Sequence, residues 1–143
     1  MSTIVRVGSH PLIAQLFTFT FEYSTVAGEE PSVGDVVILK SDGKVKKSDA
    51  DFSLAALGVV LSKNTSAGIC TVCMHGIVAV TAAAAINRGA VVGSAANGRV
   101  KAIPAAGATY AASDVENAKA KIGKALTSAA AAGDTVVIAL EVA

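Results

Sequence analysis

The chain has 143 residues and a net charge of +1, with 52% hydrophobic, 4% aromatic and only 16% charged residues, and a mean hydropathy of +0.58. That length suits one domain or two small lobes sharing a core. The near-neutral charge, without a basic patch interleaved with aromatics, gives no support for nucleic-acid binding, and the absence of Trp leaves an apolar mass of small side chains.

The apolar excess has two possible sinks, a bilayer or other protein subunits. The most apolar window, residues 77–96, is interrupted by Asn87-Arg88-Gly89 and reads as strand, turn, strand, not as the roughly 20 uncharged residues of a spanning helix. The N-terminus makes a poor signal peptide, because Arg6 and His10 fall inside the apolar stretch. Burial against other subunits is the expectation that remains, since obligate interfaces resemble a domain core cut in half.

Residues 1–30 stand apart from the rest. Thr3-Ile4-Val5-Arg6-Val7 predicts a short strand, broken by Gly8-Ser9-His10-Pro11. From Phe17 to Tyr23 large apolar and polar residues alternate, which predicts a half-buried strand with Phe17, Phe19, Phe21 and Tyr23 on one face, buried against the chain's own body or against a neighbour. Strands are then expected over 36–40, 45–47, 57–62, 69–75 and 77–81. Further strands are expected over 89–93, 100–103, 122–126 and 135–142. Asp42-Gly43 predicts a hairpin with the positive φ values of a type I′ turn. Ala82–Ala85 is too short to hold a helix without packing. Ser113 with Glu116 three residues on has the form of a capping box and predicts a short helix from Asp114 towards Lys121.

The strands repeat. Gly34-Asp35-Val36-Val37 and Asp42-Gly43-Lys44-Val45-Lys46 return as Gly89-Ala90-Val91-Val92 and Asn97-Gly98-Arg99-Val100-Lys101, each 55 positions on. Leu57-Gly58-Val59-Val60-Leu61-Ser62 returns as Ile122-Gly123-Lys124-Ala125-Leu126-Thr127, now 65 positions on. Ala67-Gly68 followed by Cys70-Thr71-Val72 returns, at the same offset, as Ala132-Gly133 followed by Thr135-Val136-Val137. One β-rich unit is therefore used twice, over 33–80 and 88–143, with about ten extra residues in the second copy. The expected fold is mainly β: a compact, small-barrel or β-tulip-like body over 31–143, built from two similar hairpin units with one short helix, preceded by an extended N-terminal arm.

No reactive group is repeated, and the scattered ones lack partners. Cys70 and Cys73 are a single Cys-x-x-Cys in a strand pattern, where positions three apart face opposite ways, so they are read as two buried apolar residues and not as metal ligands. Reduced thiols suit an intracellular assembly site. His10 and His75 have no triad or His-x-x-x-His context. Asp35, Asp42, Asp49, Asp51 and Asp134 fall at turns and strand starts without the pattern of a calcium loop. Lys44, Lys46 and Lys47 read as solvated charge beside a turn. No catalytic residue, cofactor site or metal site is assigned.

The order of these pieces is similar to the small capsid cement, or head decoration, proteins of tailed bacteriophages. The resemblance spans residues 30–143, and its most specific part is Ile122-Gly123-Lys124-Ala125-Leu126 followed by Ala132-Gly133-Asp134-Thr135. It implies an architecture like the lambda-like decoration proteins, a homotrimer on the outer capsid surface of the virion, made in the host cytoplasm. It implies the major capsid protein as partner, with neighbouring capsid subunits bridged. It also implies a capsid-binding arm, Ser2 to about Leu16, carrying Thr3, Ile4, Val5, Arg6, Val7, Pro11, Leu12 and Ile13 and adding a strand to a capsid sheet edge. Two other readings stand beside it. One is a carbohydrate- or peptide-binding β-module of a receptor-binding or adhesive kind, against which the Ala, Gly and Ser loops count. The other is a small β-barrel enzyme, for which no constellation is present.

Overall fold

The computed structural model describes residues 17–105 and 111–142. The expected strand over 3–7 and the arm as a whole lie outside them.

Among the described residues, segments rich in Val, Ile and Thr form nine strands, as β-branched side chains favour. These are β1 (Phe17–Glu22), β2 (Val36–Leu39), β3 (Val45–Lys47), β4 (Ala56–Asn64), β5 (Ile69–Thr81), β6 (Val91–Ala95), β7 (Arg99–Ala102), β8 (Lys121–Ala125) and β9 (Thr135–Glu141). The one helix among the described residues, α1 (Ala112–Lys119), falls between β7 and β8 in the chain. The strands make one sheet in the order β3-β2-β4-β5-β9-β8-β6-β7, with β1 also paired to β5. Every strand pair is antiparallel.

That order is the repeat folded back on itself, and the registers match residue by residue. Val37 lies opposite Lys47 and Ile38 opposite Lys46; 55 positions on, Val92 lies opposite Ala102 and Gly93 opposite Lys101. Val37 faces Gly58, after which the pairing skips Leu57 to join Ile38 with Ala56. Val92 likewise faces Gly123, and the pairing skips Ile122 to join Gly93 with Lys121. Both bulges therefore stand at equivalent positions. The two glycines are demanded by close approach. A Cβ on Gly58 would run into the Cys73 carbonyl oxygen, and one on Gly123 into that of Ala139. Those carbonyls are 66 residues apart, one more than the offset legible in the sequence. Cys70 is thus the counterpart of Val136, not of Thr135, because the second copy has gained a residue between Gly133 and β9.

β1 also has a counterpart. The first half of β5 pairs with β4 and β1, and its second half, from His75 to Thr81, pairs with β9. Phe21 sits opposite Cys70 as Val80 sits opposite Val136. Just beyond, Tyr23 makes a parallel bridge to Val45, and Ala82 makes one to Val100. Each bridge brings the end of a unit's first strand against its hairpin, so each half of the sheet curls into a half-barrel. β5 passes through Gly76 without a break and serves both halves. His75 accordingly lies inside a strand, not near the end of one.

Each half-barrel has its own core. The first holds Tyr23, Val37, Val45, Val60, Cys70 and Val72, with Phe21, Leu57 and Met74 packed against them. The nine counterparts, Ala82, Val92, Val100, Ala125, Val136, Ile138, Val80, Ile122 and Leu140, all belong to the larger second core. That core also takes in Val36, Val59 and Cys73 from the opposite face of the first half, which is how the two halves are joined.

The two hairpin turns differ. At the first, only Gly43 has positive φ, not Asp42. The Gly43 N–H donates to the Lys40 carbonyl at 3.0 Å, and the Asp42 carboxylate accepts from the Lys44 N–H at 3.0 Å. This is a longer loop closed by a left-handed glycine, in place of the expected type I′ turn. At the second, Asn97 and Gly98 both take positive φ. The helix also starts earlier than expected. Asp114, not Glu116, accepts from the cap, with its carboxylate 2.9 Å from the Ala111 N–H. Ser113 is already inside α1. The helix sits within the ten-residue expansion between β7 and β8.

Gly58→Ala and Gly123→Ala are expected to destabilise the fold by a similar amount, on the order of 1–3 kcal/mol each, because either methyl group forces a paired strand aside. Thermal unfolding of the two variants checks this; one tolerated and one disruptive substitution would break the equivalence.

Candidate interaction surface

The closed end of the first half-barrel is held by polar contacts. The Tyr23 ring is buried and covered by the Lys63 ammonium, 4.7 Å from the ring centre. Around it the Lys40 ammonium and the Ser24 hydroxyl donate to Glu29 at 2.9 and 2.7 Å. These two hydrogen bonds, Lys40 first, hold the Glu29 carboxyl down to about 2. Lys46 bonds Asp49 at 2.8 Å and approaches Glu29 at 3.6 Å, so part of the Lys44–Lys47 stretch has assigned partners and is not simply solvated.

The seam between the halves carries two further buried serines, Ser48 and Ser94. Ser48 Oγ donates to the Ala95 carbonyl at 2.6 Å, and Ser94 Oγ accepts from the Ser53 N–H at 2.9 Å. The Phe52 N–H donates to the Ser94 carbonyl at 2.8 Å, and Lys101 pairs with Asp51 at 2.9 Å. The β3–β4 connection of the first half therefore lies over the β6–β7 hairpin of the second. Asp35 also lies at this seam, close enough to Gly98 that a Cβ there would strike its carboxyl. Burial pushes the Asp35 carboxyl up, opposed by the Ser32 N–H that it accepts.

The open end of the first half-barrel is different. Phe17 is 50% and Phe19 48% exposed, whereas Val78, the counterpart of Phe19, is 6% exposed. The expected aromatic face thus packs on the chain's own body at Tyr23 and partly at Phe21, whereas the first two rings, which stack edge to face at 5.1 Å, are left uncovered by it. Phe19 lies opposite Val72 as Val78 lies opposite Ile138, so the two hold the same register position and differ in what covers them. Among the described residues β1 pairs only with β5, so its outer edge carries unpaired backbone groups. Apart from β1, an open groove of about 440 Å³ is lined by Leu39, Leu54, Leu57, Met74, Ile122 and Val142 and bordered by Lys40, Lys119 and Lys121.

The chemical candidates stay apart. Cys70 faces the first core and Cys73 the second. Both thiols are free, and burial pushes both up, away from the reactive thiolate. The His75 Nε2–H donates a hydrogen bond to the Val142 carbonyl, 3.0 Å away. Asp42 and Asp134 serve turns, Asp134 accepting from the N–H groups of Ala130 and Ala131. Among the described residues no three His, Cys, Asp or Glu side chains converge as a metal site, and no helix is long and apolar enough to cross a membrane. Thr3, Ile4, Val5, Arg6, Val7, Pro11, Leu12 and Ile13 lie outside the described residues, as does His10. No protein-family model and no curated protein matches the chain.

The Glu29 network has a defined acid limit. Its carboxyl is depressed on folding, so its stabilisation is complete above the ordinary value of 4.5 and is lost as pH falls towards about 2. The thermal midpoint of the wild type is expected to drop more steeply than that of Glu29→Gln across this interval. Parallel slopes would show that the Lys40 and Ser24 bonds do not act on stability.

Proposed function

We propose that this chain is a structural virion protein, which binds the outer surface of a phage capsid as a homotrimer and cements neighbouring capsid subunits. The observation that carries the proposal is the uncovered end of the first half-barrel. The same scaffold is used twice in one molecule; in the second use the counterparts of Leu57, Met74 and Phe19 are buried, and in the first they are open or only partly covered. Surface of that kind serves contacts with other subunits. The scattered thiols, imidazoles and carboxylates support a scaffold role. The motif order shared with capsid cement proteins supplies the capsid as partner.

In this reading residues 2–16 form the arm that reaches the shell. They run directly into β1, whose outer edge would continue any strand pairing made by the arm. Three arms on one trimer multiply a weak individual contact into firm attachment. A second reading, a peptide-binding β-module, is favoured by the apolar groove beside Leu39 and Met74.

Co-sedimentation with expanded, undecorated heads, with the mass in solution measured by light scattering, separates the two. Saturable binding at a fixed number of copies per capsid subunit is expected. Failure to bind a cognate head, with a discrete monomer in solution, would favour the peptide-binding module. Removal of residues 2–16 is expected to leave a folded, self-associating body that no longer sediments with heads. Unfolding on this deletion would place the arm in the core.

A further inference from the structure

The two halves are not equally complete. Within the chain, the β3–β4 connection of the first half covers the β6–β7 hairpin of the second through Phe52, Ser53, Asp51 and Ser48. The covered position, Ser94, is 0% exposed. Its counterpart in the first half, 55 residues earlier, is Leu39 on the β2–β3 hairpin, and Leu39 is 45% exposed. No connection within the described chain covers it as Phe52 and Ser53 cover Ser94. The matching donor reaches the rim of the groove beside Leu39 only with its end, Lys119 and Ala120. The β7–β8 connection, counterpart of the one that does the covering, carries α1, in which no residue is buried. Its side chain Val115 is 43% exposed, flanked by Asp114 and Glu116.

We propose that the α1 connection of one copy docks on the β2–β3 hairpin and adjoining groove of a second copy. Val115 enters between Leu39 and Met74, and Glu116 faces Lys121. The contact repeats between molecules the one that the β3–β4 connection makes within each molecule. Charge favours it at one point: of the three lysines on the groove, Lys40 is held by Glu29 and Lys119 pairs at 3.5 Å with Glu116 of its own exposed helix, which leaves Lys121, without an ion pair among the described residues, for the incoming Glu116. The ten-residue expansion lies in the connection that must reach another molecule. Donor and receptor are different surfaces of the same chain, so the contact is head-to-tail and saturates only by closing a ring. It thus supplies an interface for the trimer proposed above and rests on that reading.

Two chains test it, one carrying Val115→Cys and the other, isotopically labelled, carrying Leu39→Cys. Both substitutions are at exposed positions, and the native thiols are buried. On mixing and mild oxidation, disulfide-linked dimers holding one chain of each kind are expected. Trimers by light scattering that give no such mixed dimer would overturn this contact while leaving the capsid reading in place; a monomer at all concentrations would overturn it too. In a second arm, Glu116→Lys and Lys121→Glu singly are expected to weaken association by about tenfold, and together in one chain to restore it. No recovery in the doubly substituted chain would count against the assigned pairing. Head co-sedimentation of the wild type, scored separately, reports on the capsid reading alone.

Discussion

Two half-barrels hang on one strand. β5 gives its first seven residues to one ladder and its last seven to the other, with His75 shared between them. Each half can approach β5 or β9 closely only because Gly58 and Gly123 carry no side chain where a neighbouring carbonyl stands. A displaced register there would turn each alternating strand over and put its buried valines into solvent. The pairing between β5 and β9, seven residues long, therefore fixes the relation of the halves as well as the shape of each. The interiors need no large rings once that frame is set. Val and Ala side chains fill a small curled sheet, which is why a chain with 4% aromatic residues still closes two cores.

Much of this was legible in the sequence, for a physical reason. Turns and close approaches constrain residue type sharply, so Asp-Gly, Asn-Gly and Leu-Gly or Ile-Gly survive as visible marks of the repeat. β1 was not recognisable as part of the first unit, because its counterpart is the second half of β5 and the two share no residue identities. Phe19 answers to Val78 and Tyr23 to Ala82 only through backbone pairing. The single added residue before β9 was hidden by the Ala-Gly pair in the preceding loop, which keeps the earlier offset. At α1 two carboxylates competed for the cap; the shorter Asp114 reaches back to Ala111 and starts the helix sooner than the Ser113 pattern suggested.

The interaction surface was less legible than the fold. Periodicity places Phe17, Phe19 and Phe21 on one face of a strand, but whether that face is covered depends on what the rest of the chain brings to it. The duplication made this readable in the structure, since each position in one half has a reference in the other. Differences between the halves, such as Leu39 against Ser94, mark where one scaffold has been finished internally and the other has not. The mean hydropathy has the same origin. Part of the apolar excess lies in the two cores, and part remains on the unfinished end and on exposed side chains such as Ile77 and Leu54.

The two cysteines, three residues apart on β5, belong to different interiors. Cys70 can meet a reagent only when the first half-barrel breathes, and Cys73 only when the second core parts. The chain therefore carries two built-in clocks on one strand. If both thiols are modified at one rate, the molecule opens as a single cooperative body. If Cys70 runs ahead, the half with the uncovered end is a separate foldon, opening while its neighbour stays shut.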